Sequence, residues 1–436
     1  MNKFKEVYIL GIGGSGMSSI AKYLVQQNID VSGYDQRKSF ITNQLNQDGI
    51  KVDFDLSNLK YSKKILYIYS SAISITETTL KNYLDSENVL SRPEFLNMLS
   101  RENKIIGVTG THGKTSTTAL LAHIFHYNER NVSYIFGGIT SFHGIGGHYG
   151  DHDEPIILET DEAFNTFKDI NIDDLLVTNI DVDHLDYFKN FNNLFNAFKH
   201  VIQNVKRNLV LNFDDQNLRE LKTKNNCISY SSSEVSDIQI KYPNKIIIEN
   251  EEYVVTTKLI GNHFISNIAG AIALAYLNGI KIEDSIEAIK TFPGVKRRTE
   301  YLGSINGIKV YDDYGHHPTE IAATISALKE YTLGKLYVIF QPHRYTRTKN
   351  GFEDFKTSLS KADETIVVDI YPAGEEPIPG VSSKNFENKN IKYLKSMRMV
   401  PSYLSTRVNE NDIILTLGAG DITLLGPQIL KYLDEI

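Results

Sequence analysis

A glycine-rich turn that carries a lysine and three hydroxyls is the strongest chemical signal in this chain. In GVTGTHGKTSTT (107–118), Gly110, Thr111, His112, Gly113, Lys114, Thr115 and Ser116 stand between an apolar run and a helix-like run. Consecutive backbone N–H groups in such a turn cradle phosphates, the lysine neutralises the β- and γ-phosphates of ATP, and the hydroxyl reaches Mg2+. The strict phosphate-loop pattern asks for glycine where Val108 stands, and the glycine falls at Gly110 instead, so the loop is a variant. A second turn, GIGGSG (11–16), sets Gly11, Gly13 and Gly16 as G-x-G-x-x-G around Gly14 and Ser15. Asp35 ends the next apolar run, about 20 residues on. Glycines let a diphosphate approach the backbone at a helix N-terminus. Taken alone, this turn describes a nicotinamide-dependent dehydrogenase equally well. A dehydrogenase has no use for the ATP turn, however, and a simple ATPase has none for the first.

Mg2+ on ATP requires hard oxygen ligands. ILETDEAF (157–164) supplies Glu159, Asp161 and Glu162, and TNIDVDHLDYF (178–188) supplies Asp183, His184 and Asp186, each at the end of an apolar run. The spacing of His112, His184, His316 and His317 matches no compact zinc motif. Further on, TFPGVKRRTE brings Lys296, Arg297 and Arg298 behind a Pro-Gly turn. KVYDDYGHHPTE places Asp312, Asp313, His316 and His317 at a strand end, and FQPHRYTRT places His343, Arg344 and Arg347 at another. Guanidinium forks suit carboxylates and phosphates. Arg344 and Arg347 follow the buried-looking run LYVIF and read as ligand contacts, whereas Lys296 reads as a solvated surface charge.

The elements that must position these groups alternate. Apolar strand candidates at 5–10, 31–35 and 64–72 with an intervening helix form a first unit ending near SREN (100–103). A second series begins at KIIGVTG (104–110) and continues through 155–160, 175–180 and 208–213. Residues 238–258 read as a small antiparallel insert, and a helix over 264–278 closes the series. KVYDDY, KLYVIFQP, ETIVVDIY and DIILTLGAGD make a third. Strands alternating with helices specify parallel, doubly wound sheets. The expected fold is therefore α/β with three domains: a Rossmann-like domain (1–103), a central phosphate-loop ATPase-type domain with a mostly parallel sheet (104–292), and a Rossmann-like C-terminal domain (293–436).

Bulk properties exclude several classes. The 436 residues suffice for two to four domains, and 41% hydrophobic with 23% charged residues is ordinary for a globular protein. A net charge of −7 gives no reason to expect nucleic-acid binding, and it leaves anionic substrates to local cationic pockets. A single cysteine, Cys227, rules out an internal disulfide and a paired-cysteine zinc site. No stretch approaches the ~20 apolar residues of a membrane span. The expectation is a cytoplasmic protein, monomeric or a weak homodimer.

Together the motifs resemble the Mur ligase family across nearly the whole chain and in the right order. GIGGSGM, GTHGKT, DDYGHHPTEI, QPHRYTRT, DIYPAGEEPIPGVSS and GAGDI carry the resemblance. The long third-unit segments are similar to the alanine-adding branch; a sister branch that adds another amino acid or a recycled peptide is the alternative. The resemblance implies ATP-dependent joining of L-alanine to the carboxylate of UDP-N-acetylmuramate through an acyl phosphate, with ATP and Mg2+ as cofactors. It implies that Lys114 holds the γ-phosphate and that Thr115, Glu159 and His184 bind Mg2+. Asn267, Arg298 and Asp313 then contact the nucleotide. Gly11, Gly13, Gly14, Ser15, Gly16, Asp35, Ser71, Arg344 and Arg347 contact the sugar nucleotide. His316, His317 and His343 face the amino acid, with His343 or a water-linked His317 as candidate base. Motifs spread over three units imply a closure that clamps the nucleotide. The chain departs from the family pattern at Phe264, where Asn is usual, and at Ala163 and Phe164. Lys199 follows His184 at a spacing that resembles members with a carbamylated lysine.

Overall fold

Runs such as EVYIL, IIGVT and IILTL are apolar at successive positions because their strands are covered on both faces, as parallel sheets require. The computed structural model describes residues 4–57, 59–140, 144–221 and 226–435. Among these residues there are three sheets, of five, ten and six strands. By compactness the chain separates into two units, Met1–Thr257 with Ile265–Pro293, and Lys258–Phe264 with Gly294–Ile436. The first unit carries the first two sheets. Among the described residues no helix is long and apolar enough to cross a membrane.

The first sheet comprises β1 (Glu6–Leu10), β2 (Asp30–Tyr34), β3 (Lys51–Asp53), β4 (Ile65–Tyr69) and β5 (Val89–Ser91). Its order is β3-β2-β1-β4-β5, all parallel. The chain reverses its direction of winding between β1 and β4, so a crevice opens at the C-terminal end of β1. The turn Gly11–Gly14 and the helix Ser15–Val25 begin there.

The second sheet comprises β6 (Ile105–Thr109), β7 (Ser133–Thr140), β8 (Gly144–His148), β9 (Ile156–Glu159), β10 (Asp174–Val177), β11 (Asn208–Asn212), β12 (Asn226–Ser231), β13 (Ile238–Lys241), β14 (Lys245–Ile248) and β15 (Glu251–Val254). Its order is β15-β14-β13-β12-β11-β10-β6-β9-β7-β8. The run β13-β12-β11-β10-β6-β9-β7 is parallel, while β8, β14 and β15 pair antiparallel at the two edges. The insert read at 238–258 thus extends this sheet rather than standing apart. β6 lies centrally, flanked by β10 and β9, so the ATP-type turn and both acidic segments emerge at one sheet end.

Small residues join these two sheets. A Cβ on Gly147 of β8 would lie 2.0 Å from the Ser19 carbonyl oxygen, and Ser19 Oγ donates to Phe136 O at 2.6 Å. The helix that starts in the first glycine turn therefore seats its backbone on the β7–β8 hairpin. One apolar cluster runs from Val7 and Ile20 through Ile135, Leu158 and Val177 to Phe198. Each such fully buried side chain contributes about 1.5–3 kcal/mol.

The third sheet, in the second unit, comprises β16 (Glu300–Ile305), β17 (Ile308–Asp313), β18 (Leu336–Phe340), β19 (Glu364–Val367), β20 (Ile391–Tyr393) and β21 (Ile413–Leu417). Its order is β16-β17-β21-β18-β19-β20, parallel except for β16. The strand ends of β17, β18 and β21 carry DDYGHH, QPHR and GAGD.

Candidate active site

The turn after β6 is shaped by glycines and tied down by β10. Gly110 has φ +130°, and a Cβ there would stand 2.1 Å from Thr178 Oγ1. Thr111 N donates to Asn179 O and His112 N to Asn179 Oδ1, while Thr178 Oγ1 donates to His112 O at 2.6 Å. Gly113, at φ +83°, opens the helix Lys114–Tyr127 without a side-chain cap. A helix N-terminus of this kind, with its dipole behind it, attracts an anion. Within the helix, Thr117 and Thr118 return their hydroxyls to Gly113 O and Lys114 O. Asn267, on the helix Asn262–Leu277, lies against the turn: a Cβ on Gly113 would meet its Oδ1 at 2.8 Å. Ser116 is buried beside Thr115.

Lys114 Nζ donates to Gly110 O at 2.6 Å, Thr111 O at 3.1 Å and Glu162 Oε2 at 2.8 Å. Burial opposes its charge, but Glu162 outweighs burial, with Asp161 and Glu159 adding to it, and the ammonium is held above its usual range. Burial pushes Glu162 up to about 7, against the pull of Lys114. Burial raises Asp161 as well, yet Lys114 and Arg92 bring its carboxyl below the usual range. Thr115 Oγ1 donates to Glu159 Oε1 at 2.8 Å, and Gly137 N to Glu159 Oε2 at 2.6 Å.

His184 sits at φ +53°, a left-handed conformation that costs a non-glycine residue of order 1–3 kcal/mol and clusters at functional sites. Asp183 Oδ1 accepts its N–H at 2.7 Å. One ligand atom each from Asp161, Glu162 and His184 lie within 4.8 Å of one another. The carboxylate and hydroxyl oxygens here are hard donors of the kind Mg2+ takes, and His184 adds one nitrogen beside them. The side chain of Asp186 lies outside the described residues, and Lys199 is exposed on the helix Phe191–Gln203.

The first glycine turn is organised with far less charge. Gly11, at φ +79°, packs on Ser70 and Ile73, whose turn exposes Ser71. Gly13 N donates to Asp35 Oδ2 at 2.9 Å, and Asp35 Oδ1 also accepts from Arg37 N. Gly14 and Ser15 are exposed at the helix start, while Gly16 is covered by Arg92. Ser15 Oγ would stand 3.2 Å from a Cβ on Gly137, the glycine whose N–H holds Glu159. Within this unit the two turns are therefore neighbours.

In the second unit, Asp313 Oδ2 accepts from Thr299 N and Oδ1 from Gly315 N, both at 2.7 Å. Burial pushes its carboxyl up to about 6, although Arg298 pulls it down. Arg297 and Arg298 both lie over the Tyr314 ring, and Lys296 is exposed. His317 caps the helix Pro318–Tyr331, accepting Thr319 N at its Nδ1, and His316 stands 3.7 Å from Glu320. His343 stacks on Tyr371 at 5.5 Å, and its buried Nδ1 makes no hydrogen bond. Burial, with His316, Arg347 and Arg344 adding to it, lowers His343 to about 4. Arg344, at φ +71°, donates to Glu375 of the Pro/Gly-rich loop at 2.6 Å. Phe264 is buried against the His263 ring.

Sequence reasoning assigned no role to Arg92, to Gly137 or to the Thr178–Asn179 pair, and it gave Glu162 no partner. Arg92 is masked by an ordinary helix-start signal, the Ser91–Glu94 capping box, in which an arginine draws no notice.

Three family models match the chain in order: Mur ligase family, catalytic domain, at residues 6–104; Mur ligase middle domain at 108–275; and Mur ligase, glutamate ligase domain, at 297–420. The chain is 34% identical to the UDP-N-acetylmuramate–L-alanine ligase of Desulforamulus reducens, covering 99% of each protein. It is 34% identical to the protein of the same name from Dictyoglomus turgidum, covering 98% of this chain and 96% of that one. The crystal structure of a UDP-N-acetylmuramate-alanine ligase from Thermotoga maritima superimposes with a TM-score of 0.82 at 25% identity over 98% of each chain. A murein peptide ligase from Psychrobacter arcticus shares the fold, with a TM-score of 0.69 at 22% identity over 99% of each chain.

Proposed function

The chain belongs to the Mur ligase family, and from that premise we infer that it is an ATP-dependent ligase joining L-alanine to the carboxylate of UDP-N-acetylmuramate, a step of peptidoglycan precursor synthesis. One observation within the site carries the chemistry: a buried, fully charged lysine in a phosphate-type turn, beside a hydroxyl and three carboxylates. Residues 1–103 are assigned to the sugar nucleotide, 104–292 to ATP, and 293–436 to the amino acid and the nucleotide's far side.

A carboxylate is a poor acyl donor because oxide is a poor leaving group. Transfer of the γ-phosphoryl group to the carboxylate yields an acyl phosphate and ADP. The amine of L-alanine then attacks the carbonyl, and the tetrahedral intermediate expels phosphate. Lys114 offsets the negative charge that grows on the transferring group. The Gly110–Ser116 amides orient the phosphates, and Asn267 borders them at Gly113. Thr115, Glu159, Asp161, Glu162 and His184 are the residues that would hold Mg2+. Mg2+ bound there supplies further neutralisation of phosphate charge.

His343 is neutral at pH 7, but with a pKa near 4 it is a weak general base. Positioning the amino acid suits it better, together with Arg344 and Arg347. The deciding experiment is phosphate release with ATP, Mg2+ and UDP-N-acetylmuramate across a panel of amino acids and the recycled tripeptide. Strict dependence on L-alanine is expected. Turnover only with another amino acid or with the peptide would move the chain to the sister branch.

A further inference from the structure

The Pro/Gly-rich segment YPAGEEPIPG (371–380) folds back onto the end of β18. Tyr371 N donates to Pro342 O at 2.8 Å and Arg344 N to Tyr371 O at 2.9 Å, which joins His343 and Tyr371 in an isolated parallel bridge. Ala373 and Gly374, at φ +49° and +89°, turn the chain, and Glu375 N closes the turn on Pro372 O at 2.9 Å. The turn brings the Glu375 carboxylate to the start of the helix Tyr345–Asn350. Glu375 Oε1 accepts from Arg344 Nε and from Thr346 Oγ1, both at 2.6 Å, and Oε2 accepts from Thr346 N at 3.0 Å. Burial raises this carboxyl, but the bonds from Thr346 and Arg344 outweigh burial and hold it below its usual range. The next residue, Glu376, is exposed.

We propose that Glu375 is a positioning residue for the ligase reaction, holding Arg344 by its inner nitrogen so that the two terminal nitrogens meet an oxyanion of a substrate. A carboxylate that is an arginine's full partner takes two parallel bonds from the guanidinium fork. Here Oε2 is held by Thr346 N instead, and among the described residues Arg344 Nη1 and Nη2 make no hydrogen bond. That terminal pair is itself a planar, two-donor edge that fits a carboxylate or a phosphate. A helix cap needs only the Oε2 bond to Thr346 N, so the bond to Arg344 Nε is additional. Arg344 is also held at φ +71°, a costly conformation for a non-glycine residue, by Tyr371 at its backbone and Glu375 at its side chain. The assignment rests on the function proposed above, which makes Arg344 a substrate contact.

The test is a double-mutant cycle of wild type, Glu375→Ala, Arg344→Ala and the pair, read by kcat and by KM for L-alanine and for UDP-N-acetylmuramate. Glu375→Ala is expected to raise one of the two KM values roughly 5- to 50-fold, the range of coupling within one ion-paired network, with kcat within about threefold of wild type. A rise for L-alanine identifies the amino acid's carboxylate as the oxyanion, and a rise for the sugar nucleotide identifies its phosphates. In the Arg344→Ala background, Glu375→Ala should change the same KM by less than about twofold, because the group it positions is gone. Effects that multiply would overturn the assignment, as would a lowered Tm with both KM values unchanged, the signature of a helix cap. Glu376→Ala should match wild type, and a KM rise there equal to that of Glu375→Ala would also overturn it. If Glu375→Ala fails to fold, Glu375→Gln, which keeps the size and loses the charge, carries the same cycle. A wild type that ligates a different amino acid would revise the proposed function and leave the cycle readable with that substrate. If it ligates none, calorimetric Kd for UDP-N-acetylmuramate across the cycle decides, and an unchanged Kd in Glu375→Ala overturns the assignment.

Discussion

The two glycine turns of the first unit have the same strand–turn–helix form and treat charge in opposite ways. At Gly11–Gly16 the chain shows backbone amides and small side chains, and its one acidic partner, Asp35, ties down Gly13 N. At Gly110–Ser116 a lysine, a hydroxyl and three carboxylates are packed together, and the turn is clamped by groups some 70 residues away at the end of β10. Under the proposed function, the first turn meets its diphosphate chiefly through backbone geometry. Transferring a phosphoryl group needs charge that is prearranged and buried, because reorganising it during reaction would raise the barrier. On the proposed function, the contrast accounts for the non-standard pattern of the second turn, whose charge arrangement rests on Lys114 and the neighbouring strands more than on glycine count.

The sharpest way to break this contrast is Lys114→Ala. Phosphate release should fall about 10²- to 10³-fold or more, the scale of losing a charge-stabilising donor. Calorimetric affinity for UDP-N-acetylmuramate should be unchanged, and an equal loss there would show that the two turns do not divide the work.

Glycine replacements sharpen it next. Gly110→Ala must fit a Cβ against Thr178 and the Asn179 backbone at φ +130°, and should cost about 3 kcal/mol or more by urea denaturation. Gly13→Ala meets the Asp35 and Thr42 side chains, which can shift, and should cost only about 1–2 kcal/mol. The reverse ranking would contradict the tighter clamping of the second turn.

A buried acid outside both turns gives a pH test. Asp313 titrates near 6 when folded and near 3.8 when unfolded, so the folded state holds the proton more tightly. Its contribution is complete below pH 3.8 and is lost as pH rises through 6. Between pH 4 and 7 the wild type should therefore lose up to about 3 kcal/mol relative to Asp313→Asn. Parallel stability curves for the two proteins would show that the backbone amides of Thr299 and Gly315 hold the carboxylate ionised.

The smallest effect is expected at Asp35. Asp35→Ala removes two backbone contacts and should cost about 1 kcal/mol, with a few-fold rise in KM for the sugar nucleotide. A loss as large as that of Lys114→Ala would mean that the first turn also depends on charge.

Much of this was legible before any coordinates. Unbroken apolar runs announced parallel strands, and a glycine turn after each of the first strands located the crevices, because only glycine takes the conformations at Gly11 and Gly113 without strain. Glu159, Asp161 and His184 were visible as strand-end acids and imidazole. The residues that chain order could not reveal are those whose meaning depends on contact: Glu162 as the partner of Lys114, Gly137 as the donor to Glu159, and Arg92 between the turns. The depressed proton affinity of His343 arises from burial and from His316, Arg347 and Arg344 around it, which no local pattern records.

The amino-acid sequence by itself determined the order of elements, the places where phosphates can meet backbone, and the kinds of side chain available there. Only the tertiary structure decided which carboxylate faces which cation, and therefore which groups are charged. Periodicity and turn chemistry act over a few residues, whereas burial and Coulomb interactions act between groups that folding brings together from distant parts of the chain.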